Sequence, residues 1–320
     1  MTITGIQPCT VCGAAANSQL IFEKESDGRG DGVIALYRCG SCNTAYLGRY
    51  NRAYEDDLYA YYQQDKGKPK EEIYDPLTRN SYMQVLRLIA RYGDGKAILD
   101  VGCGRGDFVD AALSEGFDVE GIELSQPAVD IAQGYHLPVA KLDFFSSQIL
   151  DSSRDVVTMF EVIEHLPDPV SFLQRAEAVV RPGGLVYLTT PNFNSLDRRV
   201  LGAEWEAIHR EHLTFFTPAT LVSTISNNTT LQILHIETRN VSPGLIRRAT
   251  NVGRRLPPDE GQMSANSAGP SPAPDLRAAI GKSPWLSLLK RGANSLLNAT
   301  SLGSTIVTLL RRSGGPNAKY

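Results

Sequence analysis

Residues 98–106 read Ile98-Leu99-Asp100-Val101-Gly102-Cys103-Gly104-Arg105-Gly106, an apolar strand running straight into three alternating glycines. Glycine lacks a Cβ, so such a turn adopts backbone angles closed to other residues and lets a ligand lie against the main chain. A helical segment, Asp107–Glu115, follows, and then a second apolar run ends in Glu123. An acid at the end of the second strand of a strand–helix–strand unit is placed to accept hydrogen bonds from ribose hydroxyls, about twenty residues beyond the turn. The turn reads GxGxG, and no Lys-Ser/Thr pair follows to cradle phosphates. Together these features point to a nucleoside without a pyrophosphate.

Outward from the turn, strands and helices alternate. Strands are expected at Ala97–Val101, Val119–Glu123, Pro138–Leu142, Asp155–Phe160, Leu185–Thr189 and Leu231–Arg239, with helices at Asp107–Glu115, Gln126–Gly134 and Asp168–Val180. Another helix opens at Thr217, with Pro218 in its first turn. This alternation specifies a parallel sheet covered by helices on both faces. Ser304–Leu310 reads as a further strand.

Several motifs in this order resemble the class I S-adenosylmethionine (SAM) dependent methyltransferases. Asp100 to Gly106 resembles their first motif, Glu123 their ribose-binding acid, and Asp143-Phe144 the pair beside adenine. Phe160-Glu161-Val162-Ile163-Glu164-His165-Leu166-Pro167-Asp168 is similar to the segment after their fourth strand, and Arg181-Pro182-Gly183-Gly184 to the turn before their fifth. The resemblance implies a Rossmann-like sheet of seven strands. It also implies that SAM is held by Asp100, Gly102, Gly104, Gly106, Glu123, Leu124, Asp143, Phe144 and Phe160, with the glycine backbone facing the methionine part and Leu124 packing on adenine.

Four of the five cysteines form two pairs, Cys9-x-x-Cys12 and Cys39-x-x-Cys42. Two knuckles of this kind supply four thiolates for a tetrahedral, structural Zn²⁺. The alternative is a pair of disulfides, which a cytosolic chain disfavours. Ser26 to Gly32 reads as the turn of a hairpin between Gln19–Glu23 and Val33–Arg38. The expected organisation is a zinc-ribbon-like domain (1–48), a helical lid or linker (49–92), a SAM-binding core (93–240), a loop and helical insertion (241–302), and a last strand with a tail (303–320). Within these, Arg52–Gln64 reads as a Tyr-rich helix, Asp75–Tyr92 as a second helix, Pro257–Pro274 as a Pro- and Ser-rich loop, and Ser283–Leu297 as an amphipathic helix.

The net charge of −3 gives no basic face, so nucleic acid is not favoured as a partner. The Gly292–Leu310 stretch is too polar to span a membrane, and the first residues carry no leader pattern. A cytoplasmic chain acting on a small-molecule acceptor is therefore expected. Oligomeric state is not legible.

Methyl transfer from a sulfonium needs an aligned nucleophile and a group to take its proton. Glu161, Glu164 and His165 follow the fourth core strand, where open α/β sheets bind ligands. Trp205-Glu206-Ala207-Ile208-His209-Arg210-Glu211-His212-Leu213-Thr214-Phe215-Phe216 interleaves polar groups with aromatics, a composition that suits a pocket wall. This second stretch resembles the deoxysugar C-methyltransferases, which likewise begin with a four-cysteine zinc motif and carry a Tyr-x-Glu-His base motif. Here Glu211 and His212 match, while His209 stands at the Tyr position. The resemblance makes His212 the candidate base and Glu211 its orienter, with His165 a further candidate for proton transfer. An RNA methyltransferase and a non-catalytic zinc-ribbon module on a methyltransferase scaffold are the competing readings.

Overall fold

The computed structural model describes residues 6–25, 33–48, 62, 68, 70, 76–241, 292 and 295–314. The Tyr-rich helix (apart from Tyr62), the Pro- and Ser-rich loop and most of the amphipathic helix lie outside them.

Three strands precede the first described helix: β1 (Gln19–Glu25), β2 (Val33–Arg38) and β3 (Ala45–Leu47). Helix α1 (Pro76–Tyr92) leads into β4 (Ala97–Val101), α2 (Asp107–Ser114), β5 (Asp118–Glu123), α3 (Gln126–Gly134), β6 (Val139–Lys141) and β7 (Arg154–Phe160). Then come α4 (Pro169–Val179), β8 (Val180–Pro191), α5 (Leu196–Leu201), β9 (Thr214–Phe215), α6 (Pro218–Asn228), β10 (Gln232–Arg239) and β11 (Thr305–Arg311). The large sheet has seven strands in the order β10-β11-β8-β7-β4-β5-β6. Strands β4 to β8 run parallel, and β11 is antiparallel to both β8 and β10. The chain therefore has the α/β architecture that the alternating pattern specified and the seven-stranded Rossmann-like sheet that the resemblance implied.

Local chemistry sets the helix starts. Asp168 accepts from the Ser171 amide at 3.0 Å and Pro169 fills the first turn of α4; Thr217 and Thr220 cap each other reciprocally ahead of Pro218 in α6. Arg181-Pro182-Gly183-Gly184, read as a turn, is instead taken into the start of β8 as a bulge. Val180 pairs with Arg154 and the ladder resumes at Leu185 opposite Val156, with Gly183 at φ +82° absorbing the kink. Strand β11 fits between β8 and β10, so residues 305–311 complete the sheet from beyond a long intervening stretch and leave β8 no open edge.

Buried apolar residues on the two faces of this sheet form separate clusters. One is built on Leu99, Val157, Met159, Leu188 and Phe216, the other on Ile89, Phe108, Val109, Leu185 and Tyr187. A third cluster joins Ile34, Leu36, Ala45 and Leu47 of the N-terminal hairpin to Phe193, Trp205, Ile208, Leu213 and Phe215. Correspondingly, β9 pairs with β3, giving a second sheet of order β1-β2-β3-β9.

Candidate active site

The glycine turn sits at the carboxyl end of β4. Gly102, Gly104 and Gly106 all take left-handed φ values, +67°, +55° and +87°. A Cβ on Gly102 would stand 2.8 Å from Cγ2 of Val162, and one on Gly104 2.8 Å from the Tyr62 hydroxyl. Gly102→Ala is therefore expected to destabilise the chain by about 1–2 kcal/mol through the left-handed backbone alone. It should also weaken SAM affinity at least about tenfold, about 1.4 kcal/mol, as read by thermal unfolding and calorimetric titration.

Behind the turn, Asp100 is fully buried and accepts a 2.6 Å hydrogen bond from the Thr158 hydroxyl. Burial pushes its carboxyl up to about 8. A carboxyl whose pKa is raised on folding holds its proton in the native state while the unfolded chain releases it, so stability falls as pH rises between about 4 and 8. Each unit crossed in that window removes up to about 1.4 kcal/mol. Asp100→Asn should flatten this slope, making the variant the more stable form at pH 8 and leaving little difference at pH 4 in denaturant titrations.

Glu123 closes the far side. Its Oε2 accepts from the Gly104 amide at 2.9 Å, and its Oε1 from the Leu124 and Ser125 amides at 2.7 and 2.9 Å. The acid thus already faces the turn that would hold the nucleoside. Leu124 is 47% exposed beside it. Asp143 accepts from the Phe145 amide at 2.7 Å, whereas Phe144 is buried against Phe172 and Arg175. Phe160 packs among Tyr82, Phe108 and Tyr187 at the end of β7. Glycines without Cβ, a carboxylate turned toward them and an exposed leucine form a cradle that fits SAM.

Beyond Phe160 the chain bends sharply. Glu161 has φ +53°, unusual for a residue with a side chain, and its amide donates to the Thr189 carbonyl at 3.1 Å. The bend turns the Glu161 carboxyl toward that of Glu164, and Glu164 Oε2 accepts from the Thr190 hydroxyl at 2.9 Å. Glu164 is buried and Glu161 half-buried, and desolvation raises both carboxyls, Glu161 to about 7 and Glu164 well above the usual carboxylate range. Among the described residues, no hydrogen-bond partner faces Glu164 Oε1.

Three histidines gather against this bend. Ring centroids of His165 and His212 lie 4.5 Å apart, those of His209 and His212 3.8 Å, and those of His165 and His209 6.4 Å. The His165 Nδ1 donates to the Glu211 carbonyl at 3.0 Å and the His212 Nδ1 to the Ala207 carbonyl at 2.8 Å. These bonds leave the lone pair of each ring on Nε2. Burial depresses His165 to about 4 and His209 to about 3, and it holds His212 well below the usual imidazole range; all three are neutral at pH 7.

Two expectations need correction. His212 is oriented by a backbone carbonyl, not by the Glu211 carboxylate, which lies 3.9 Å from the His209 ring instead. A bond to a carbonyl five residues back leaves no spacing signature that separates the two partners. Trp205, Phe215 and Phe216 are no pocket wall: all three are at most 3% exposed and pack in the core. Hydrophobic spacing around polar residues is the same for a wall and for a strand buried on both faces. The reading also left Tyr62 as one aromatic among several, and its hydroxyl stands over Gly104.

Two groups offer metal ligands. Glu164, His165 and His212 present donor atoms within 4.8 Å of one another, a carboxylate and imidazole set that suits a divalent cation. Sulfur atoms of Cys9, Cys12, Cys39 and Cys42 form the other group, with Cys9–Cys42 at 3.6 Å and Cys12–Cys39 at 3.5 Å. Both separations are far longer than the ~2.05 Å of a disulfide. They are near the edge of a tetrahedron built on Zn–S bonds of about 2.3 Å. The two knuckles repeat one turn: Gly13 and Asn43, each following the second cysteine, have φ +68° and +61° and donate to the carbonyls of Cys9 and Cys39. The cysteine amides in turn donate to Ala14 and Thr44. The four thiols therefore fit Zn²⁺.

Comparison with known proteins places this geometry. Residues 78–228 match a family model described as a methyltransferase domain. A ubiquinone biosynthesis O-methyltransferase of Vibrio atlanticus is 36% identical over 175 residues, covering 49% of this chain and 73% of that protein. Its counterpart in Vibrio parahaemolyticus is 35% identical over 146 residues, 41% of this chain and 62% of that protein. A SAM-dependent methyltransferase structure from Archaeoglobus fulgidus aligns with 18% identity and a TM-score of 0.48, over 73% of this chain and 94% of the other. The chain belongs to the class I SAM-dependent methyltransferases. Among the described residues no helix is long and apolar enough to cross a membrane.

Proposed function

We propose that the chain transfers the methyl group of SAM to a hydroxyl of a small-molecule acceptor, a sugar, a glycoconjugate precursor or a phenolic metabolite, with His212 removing the acceptor proton. The observation that carries this reading is the cluster of buried His212 with half-buried His165 and His209, with Glu164 beside His165 and His212, at the end of β7. Relatives named for O-methylation support an oxygen acceptor.

SAM supplies an electrophilic methyl on a sulfonium that departs as a neutral thioether. What the protein adds is orientation and a place for the proton. His212 Nε2 accepts the hydroxyl proton while Nδ1 stays anchored on the Ala207 carbonyl, which fixes the ring. The imidazolium so formed lies near the Glu164 carboxyl. Asp100 and Glu123 belong to the SAM side, and the four-cysteine cluster holds Zn²⁺ in a closed set with no position for chemistry.

An RNA acceptor or a detached interaction module finds less support, since strand β3 of the ribbon is paired with β9 of the catalytic domain and that edge is taken. Incubating the protein with labelled SAM and a panel of nucleotide sugars, quinone precursors and RNA, then weighing the labelled product, tests the proposal. Label on RNA alone would overturn it.

A further inference from the structure

The acceptor loop is held from outside the methyltransferase sheet. Leu213, next to His212, has its amide on the Glu164 carbonyl at 2.8 Å, and its own carbonyl accepts from the Leu47 amide at 2.9 Å. One residue thus ties the bend after β7 to the last strand of the ribbon. Thr214 pairs with Tyr46, and Phe215 with Ala45. Inside the first cysteine knuckle, between Cys9 and Cys12, the Thr10 hydroxyl meets the Thr214 hydroxyl at 2.7 Å across 204 residues of chain, in a buried contact. The second knuckle feeds β3 directly, because Ala45 follows Cys42 by three residues. Both knuckles therefore deliver a contact to β9, two residues beyond His212.

We infer that the four-cysteine ribbon is the outer support of the acceptor site, and that Thr10 is a positioning residue for the His209–His212 loop, acting through Thr214. When the four thiols are gathered on one centre, Thr10 and β3 converge on β9. When they are released, β9 loses its partners and the imidazole cluster loses its register, while the glycine turn and Glu123, held by β4 and β5, keep theirs. The state of the cysteine cluster thus governs the acceptor half of the site without governing the SAM half. Thr10 and Thr214 are both buried, and each hydroxyl satisfies the other, so removing one leaves the other without its buried partner.

The inference rests on reading His209–His212 as the acceptor side, so its test does not depend on turnover. The chain has five histidines, and His136 and His235 lie away from the cluster, serving as internal references. In ¹³C-histidine NMR spectra of the full chain, Thr10→Val should shift the ring resonances of His165, His209 and His212, leave those of His136 and His235 in place, and leave SAM affinity within about twofold. Thr10→Ser should restore the wild-type spectrum. As a second measurement, chelating the metal from the wild-type chain should speed amide exchange of the 209–216 peptide at least tenfold, about 1.4 kcal/mol, with the 97–101 peptide unchanged. Unshifted cluster resonances in a folded Thr10→Val chain would overturn the inference. So would exchange that rises equally in both peptides. If acceptor turnover later proves independent of His212, the coupling measured here still stands, and only its catalytic meaning is lost.

Discussion

Replacing His212 with Asn or Ala is expected to lower turnover by about 10²–10⁴-fold, the range a positioned general base contributes, while SAM affinity stays within about twofold. The physical basis is separation of tasks. His212 is 8% exposed and touches His165, His209 and Phe215, whereas the groups that frame the SAM cradle are on the ends of β4 and β5. A neutral imidazole with Nδ1 committed to Ala207 has one lone pair to offer, and His165, the other ring anchored on a backbone carbonyl, is held at a different place by Glu211. Glu211→Gln is the control. Its backbone carbonyl still holds His165 and its carboxylate does not hold His212, so the loss should be much smaller, about tenfold or less. Single-turnover rates alongside a SAM titration check both. A His212→Asn chain that turns over near the wild-type rate would remove the base assignment.

The second large effect is expected from the ribbon. Cys39 is buried, accepts from the Ser41 amide through Sγ at 3.4 Å and closes one edge of the sulfur cluster. Cys39→Ser should abolish stoichiometric zinc and cost several kcal/mol of stability, because metal binding at such a site is linked to folding with about 10–16 kcal/mol in isolated zinc peptides. Hydrophobic packing of Ile34, Leu36 and Leu47 on Trp205 and Phe215 retains part of the hairpin, so the loss will be less than that full figure. Metal analysis and thermal unfolding with and without a chelator measure it. A variant that keeps one zinc per chain and an unchanged melting temperature would contradict the four-thiolate assignment.

These two sites differ in how far they could be read from the chain. The glycine turn, Glu123 and the cysteine pairs are local signals. Their chemistry lies in residue types at short spacing, and a left-handed φ or a repeated knuckle is a property of a few consecutive residues. The capped helices were equally legible, since Asp168-Pro169 and Thr217-Pro218 carry their own start signals. By contrast, the turn expected at Arg181–Gly184 became a bulge because the neighbouring strand β7 supplied a ladder for it. Orientation of His212 by Ala207 and burial of Trp205 were likewise settled by what packs against them.

Sequence by itself determined the alternating α/β order, the glycine turn, the acid at the end of the second core strand, the paired cysteines and the stretch that bears the histidines. Each follows from local backbone geometry and periodicity, which neighbours along the chain dictate. The reading of 304–310 as the last strand of the sheet is borne out, while only the tertiary structure decided its register between β8 and β10, that Glu164 meets His165 and His212, and that Thr10 reaches Thr214. Those contacts join residues tens to hundreds of positions apart, and their partners are chosen by shared burial and by the need to pair every buried polar group, information that no short window of sequence contains.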